Sequence, residues 1–355
     1  MNENIPGNLP HKAYGAIASK MLRQLRTSYR TCLIGGDGCA KAIRSHSVPV
    51  AVLNHIAIEG HVYTFTEPTH EEMQSIYSGA PYRPKPLGIY DASTYHGFCS
   101  SHDDSIFSEI EKIDINPTDK QIFLFHFRAY SRVLYQNING GEMLKELCKA
   151  KLPDDHNPID ALAKIASMLQ PQEDVFSNLT TNFEGLKLCM ESGTIPKLGH
   201  VFIRLDCIPD VMCCTLFVPT YDIEGRFLLP LAKGDELSSE QPISITISKD
   251  SVGGFILLAW KGEDAIVSAF IMTFINSGYD LNRLIAVIFG ETENYFFNGN
   301  WWRSLDDERR GMLMYFASMQ FLNLADDKRD HLKLMHSILH KHQRAYINWP
   351  ILSVD

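Results

Sequence analysis

Cys32-Leu33-Ile34-Gly35-Gly36-Asp37-Gly38-Cys39 and Phe98-Cys99-Ser100-Ser101-His102-Asp103 decide the reading of the amino-terminal third when taken together. The first stretch brackets a glycine-rich loop with two thiols. Glycines there permit the positive φ values that a metal-clasping knuckle needs. The second places a thiol and an imidazole three residues apart at the start of an expected helix. Zinc prefers thiolate and imidazole in a closed four-coordinate site, so Cys32, Cys39, Cys99 and His102 are expected to hold one structural zinc ion. The alternative is that the cysteines are small buried apolar residues. Binding free energy of such an ion becomes folding free energy, which suits a loop-rich region with little core of its own.

Working outward, the chain has 355 residues, 45 % apolar and 21 % charged, with a net charge of −9. That size exceeds what one core usually serves. Three regions are expected: a zinc-binding domain over 1–115, a helical connector over 116–160, and a mixed α/β domain over 161–355. The acidic balance argues against a protein coated in nucleic acid. Residues 1–50 are nonetheless locally basic, with seven Lys and Arg, Arg44 among them, against Glu3 and Asp37. An acidic body can carry a basic groove. Neither a signal peptide nor a membrane span is expected, so the compartment is read as cytoplasmic and reducing, with the eight cysteines as thiols or ligands.

Coarse patterning predicts an amphipathic helix over Tyr14–Tyr29 and a strand in His61–Thr66. Pro68–Gly88, with four prolines and two glycines, reads as an irregular excursion. Helices are expected at Asp119–Asn137 and Gly141–Lys151. Sheet is expected at His200–Thr220 and Pro242–Trp260, where Val, Ile, Phe and Thr concentrate. Leu284–Phe289 reads as a short buried strand. Further helices are expected at Ile266–Asn276, Asp307–Leu324 and Asp327–Tyr346. The class is therefore α+β.

Ser45-His46-Ser47-Val48-Pro49 follows the knuckle, and Cys99-x2-His102-Asp103 closes the region. This order resembles the treble-clef zinc scaffold of HNH-type endonucleases over roughly Cys32 to Phe107. The resemblance implies that His46 is the general base that deprotonates the attacking water. It also implies a catalytic magnesium or manganese ion, with Asp103 as the best ligand available. Three positions depart from the family: Ser45 stands where a metal-binding Asp or His is common, Asp103 where a histidine often follows the last zinc ligand, and Phe107 where a final metal-binding histidine is frequent. His96, Asp91 and Asp104 are candidate helpers. His46 could instead join the zinc shell, which would prevent it from accepting a proton. The whole chain resembles, more loosely, uncharacterised bacterial proteins with an HNH-like module, a group that suggests defence against phage.

In Glu291–Trp302, Trp301 and Trp302 are weighed as base-stacking or partner anchors against a role as filling between domains. Glu293 and Asn294 are read as helix caps or ligand contacts. His336 and His340 lie one turn apart on an expected basic helix with His331 and His342. His126 and His156 are read as structural. No P-loop, nucleophile elbow or dinucleotide fingerprint occurs. Two functions remain. One is a metal-dependent endonuclease acting on nucleic acid, DNA in preference to RNA, with Arg44 as a backbone contact. The other is a non-catalytic zinc-scaffolded adaptor that binds a protein or nucleic-acid partner through its carboxyl-terminal domain.

Overall fold

The computed structural model describes residues 30–36, 38–66, 68–149, 177–228, 241–319 and 345–355. The expected helix at Tyr14–Tyr29, His156, and His331, His336, His340 and His342 lie outside them.

Eight strands form one antiparallel sheet. Five hairpin-forming or edge strands come from the carboxyl-terminal part: β5 (Gly199–Leu205), β6 (Val211–Phe217), β7 (Ile243–Lys249), β8 (Gly254–Trp260) and β10 (Ile351–Val354). The short β9 (Tyr295–Phe297) joins them, and so do β2 (His61–Thr64) and β3 (Lys85–Gly88). Their spatial order is β10-β5-β8-β7-β6-β9-β2-β3. The sheet therefore runs across the expected boundaries: two of its strands lie within 1–115, and β2 pairs with β9 at Tyr63 and Phe297.

Both faces of the sheet are covered, which explains the near-continuous apolar runs in its strands. Ile243, Ile245 and Ile247 point to one face and pack with Val201, Ile203, Ile256 and Leu258. Phe202, Met212, Phe255, Leu257 and Phe296 point to the other. Cys213 and Cys214 fall on opposite faces, as strand alternation demands.

Four helices cover the first face: α6 (Ala265–Asn276), α7 (Leu281–Glu291), α8 (Gly299–Ser304) and α9 (Asp307–Met319). Leu284–Phe289, expected as a strand, lies inside α7. Its six apolar residues are all buried, so the run carries no visible helical period. Asp280 starts that helix by accepting from the backbone N–H groups of Asn282 and Arg283.

The second face is covered by α4 (Asp119–Lys149), one helix in place of the two expected, and by the cysteine-rich region. A further helix, α5, spans 177–192. Two short helices complete the set before α4's neighbour α3 (Ser100–Glu111): α1 (Val50–Leu53) and α2 (His70–Tyr77). The excursion over Pro68–Gly88 is thus ordered. Thr69 and Glu72 form a reciprocal capping box for α2, with Thr69 N–H donating to Glu72 Oε2 at 2.8 Å and Glu72 N–H to Thr69 Oγ1 at 3.2 Å. Pro86 sits in β3, the sheet's last strand, where a missing donor costs no ladder bond.

Trp301 and Trp302 belong to the core, at 8 % and 9 % exposure. Their rings pack with Phe297 at 5.5 and 5.3 Å, and Trp301 Nε1 donates to the Tyr346 carbonyl. The apolar face of the sheet takes both rings. Asn294 is buried as well, and its Nδ2 donates to Ser47 Oγ and to the Cys214 carbonyl, both at 2.7 Å. It caps no helix. The cap of α8 is Asn298, which accepts from Asn300 and Trp301 N–H.

Candidate metal centre

Two short strands, β1 (Ser45–His46) and β4 (Thr94–Tyr95), pair antiparallel, and β4 leads within a few residues into α3. The knuckle is held to the segment before α3 by backbone bonds. Leu33 N–H donates to the Gly97 carbonyl at 2.8 Å, and Ile43 N–H to the Phe98 carbonyl at 2.7 Å. Gly35, Gly36 and Gly38 take φ values of 70, 98 and 80°, which lets the loop turn back on itself.

Cys99 is the extended N-cap residue of α3, and His102 lies three residues on, so both face the knuckle. The ligand atoms of Cys32, Cys39, Cys99 and His102 all lie within 4.8 Å of one another. His102 Nδ1 is 3.4 Å from Cys32 Sγ, 3.6 Å from Cys39 Sγ and 3.3 Å from Cys99 Sγ, and the Cys39 and Cys99 sulfurs are 3.8 Å apart. A tetrahedral zinc with ordinary bond lengths would set S···S edges of about 3.8 Å and S···N edges of about 3.6 Å. The four residues could therefore hold a zinc ion.

The thiols of the cluster act on one another. Burial pushes the Cys39 thiol up to about 12, reinforced by hydrogen bonds and negative charge from Cys32 and Cys99. Cys99 goes the other way: burial opposes ionisation, but the His102 backbone N–H at the helix start and the neighbouring thiols outweigh it, and its thiol titrates below the usual value. Binding of a zinc ion would displace the protons of these thiols. His46 is not a member of this group.

His46 stands on β1, partly buried. Burial, followed by the positive charge of Arg44, lowers its imidazole below the usual value. Its Nε2 is buried without a hydrogen-bond partner. The Tyr90 carbonyl, a backbone partner of the ring, also accepts from Arg44 Nη2 at 2.9 Å. Arg44 is further tied to Asp91 at 2.5 Å. His96 lies on the same side of the molecule as Arg44: burial lowers it, and the charges of Arg30, Arg44 and Lys41 push the same way.

Asp103 is brought towards Ser45, Arg128 and Glu111. Burial raises its carboxyl above the usual range, against the favourable effects of Ser45 and Arg128. Phe107 is buried in an aromatic cluster with Phe98 and Phe127, and the Arg128 guanidinium lies 4.1 Å from its ring centroid. Arg128 is 2 % exposed and donates to Glu111 Oε1 at 2.5 Å. Around Asp103 the local cation is thus a guanidinium. The carboxyls near Asp103 are already engaged, Glu111 by Arg128 and Asp104 by Lys112, and these residues do not fit the expected magnesium or manganese ion, a hard dication that wants several oxygens.

Sequence reading missed Arg128, although a signal was present: His126 and Arg128 interrupt an otherwise apolar run from Ile122 to Tyr130. Cys207, Cys213 and Cys214 are free thiols outside the centre, and burial raises all three. No protein-family model matches the chain, and no curated protein or solved structure does.

Proposed function

We propose that this chain is a zinc-scaffolded, HNH-like hydrolase of nucleic-acid phosphodiesters in which His46 is the general base. One observation carries the reading: His46 presents a neutral-leaning imidazole with a bare, buried Nε2 on the strand whose partner, β4, runs into the helix bearing Cys99 and His102. A buried acceptor with no partner suits a nitrogen that meets its proton only in the reaction. Strand, antiparallel strand and zinc-anchored helix occur in the order expected of a treble clef. The positive charges of Arg30, Lys41 and Arg44 are felt at His96, and a phosphate backbone favours such cations.

In this mechanism His46 accepts a proton from water as the water oxygen bonds to phosphorus. The bond from phosphorus to the departing sugar oxygen breaks, and that oxygen is protonated from solvent. Zinc, when bound, supplies a closed structural clasp that fixes α3 against β1. Asp103 pairs electrostatically with Arg128, and no step passes through a second metal.

A zinc scaffold without turnover is the second reading. It is favoured by Phe107 and Arg128, which fill the neighbourhood of Asp103 with an aromatic ring and a fixed cation. Zinc content by mass spectrometry, with single- and double-stranded DNA and RNA cleavage assays on the wild type and His46→Ala, separates the two. Zinc in both proteins with cleavage only in the wild type supports the hydrolase. Zinc in both with cleavage in neither leaves the scaffold, and equal cleavage by both refutes His46 as base.

A further inference from the structure

A cavity of about 340 Å³, with none of the four cluster residues in its lining, lies between α1, the end of α3, α4 and strands β7 and β8. Its walls are apolar, with Val48, Val52, Ile110, Phe125 and Phe255. Its floor is charged. Arg128 lines it from a position 2 % exposed, and its Nε is buried with no hydrogen-bond partner. At the rim, Lys249 Nζ lies 3.3 Å from His55 Nε2.

The formal charges of the lining balance, with Glu111, Asp114 and Asp250 against Lys112, Arg128 and Lys249, but Lys249 takes no part in that pairing. Each lining acid is already satisfied. Glu111 takes Arg128 Nη2, Asp114 takes the Ser251 N–H and hydroxyl, and Asp250 takes Arg204 and the Ile115 N–H. Of the cations, Arg128 is paired with Glu111 and Lys112 with Asp104, whereas among the described residues Lys249 has His55 as its polar partner and no carboxylate; the Arg128 Nε donor is also left without a partner. Burial and the Lys249 charge both lower His55, which leaves its Nε2 as the acceptor and Lys249 as the donor. A cavity with apolar walls, an ammonium that has no carboxylate and a buried N–H donor that has no acceptor suits an anion with an apolar body. Its volume sits at the small end of ligand pockets.

We propose that this cavity binds a small organic anion, an acidic headgroup directed at Arg128 and Lys249 with its apolar body against Val52, Phe125 and Phe255. The site does not rest on the hydrolase reading.

Fluorescence titration of the full-length, zinc-loaded chain with 8-anilinonaphthalene-1-sulfonate, which carries one sulfonate on apolar rings, tests it. One saturable site is expected, weakened about tenfold or more by Lys249→Glu and less by Lys249→Gln, with melting temperatures confirming that both variants fold. Competition then separates the headgroups: displacement by phenyl phosphate marks a phosphomonoester, and displacement by benzoate alone marks a carboxylate. Absence of a saturable site, or unchanged affinity in folded Lys249→Glu, overturns the proposal.

Discussion

Replacing His126 with asparagine should make the protein less sensitive to acid, by an amount that its surroundings fix. The ring is 1 % exposed beneath the sheet, with Nδ1 at 2.8 Å from Ser244 Oγ, and Ser244 donates onward to the Ala259 carbonyl. Ser244 must therefore accept from Nδ1–H, which leaves Nε2 as a buried acceptor with no partner. A second proton would put a charge and an orphan donor in the core, and burial accordingly lowers the group from 6.5 to about 3. The unfolded chain takes up that proton near the ordinary value while the fold refuses it. The stability involved is fully present above the unfolded pKa and drains away as pH falls towards the folded one. At about 1.4 kcal/mol per unit, the wild type should lose about 2 kcal/mol by about pH 5 on this account alone. Asparagine can still donate to Ser244 and cannot titrate. Urea unfolding of both proteins at about pH 8 and about pH 5 gives the double difference, in which the protonation of zinc ligands cancels. If wild type and His126→Asn lose the same stability between the two conditions, the reasoning is wrong.

Three shorter expectations concern the site and the frame that holds it. Cys99→Ser should reduce zinc to a trace by mass spectrometry and lower the melting temperature, because it replaces a thiolate at a helix start with a poor ligand. Because burial and Arg44 hold His46 below the usual imidazole value, any phosphodiesterase rate should stay on its plateau below about pH 6.5. Arg44→Ala removes one of those lowering charges and should move the acid limb of the pH–rate profile upward. Gly254→Ala should cost about 1–3 kcal/mol in chemical denaturation, since a Cβ there would meet the Cys207 carbonyl oxygen at 2.4 Å and Pro209 Cδ at 2.7 Å.

The Cys and His cluster was legible because a site able to hold zinc restricts both residue type and spacing, and both restrictions are written in the local sequence around Cys32, Cys39, Cys99 and His102. The central strands were legible because β-branched residues concentrate in them. Leu284–Phe289 was not, since a run buried on every side has no period, and the decisive signal was the cap at Asp280 a few residues upstream. The helix within Pro68–Gly88 was hidden by its prolines, although the Thr69 and Glu72 pair announced it. Arg128 facing Asp103 and Lys249 facing His55 are encounters between distant segments, and local reading has no access to them. The same holds for Trp301 and Trp302, whose burial depends on which face of the sheet α8 covers.

The two halves of the Cys and His cluster are separated in the chain by the segment that supplies β2 and β3, and those strands are the last two of the main sheet. Residues 30–115 are thus no portable cassette. Cutting the chain after α3 would strip β2 of its partner β9, leave Val62 and Phe65 without the layers that bury them, and expose an unpaired strand edge of the kind that aggregates. The natural unit for exchange, truncation or display is the clasp together with the sheet it is stitched into.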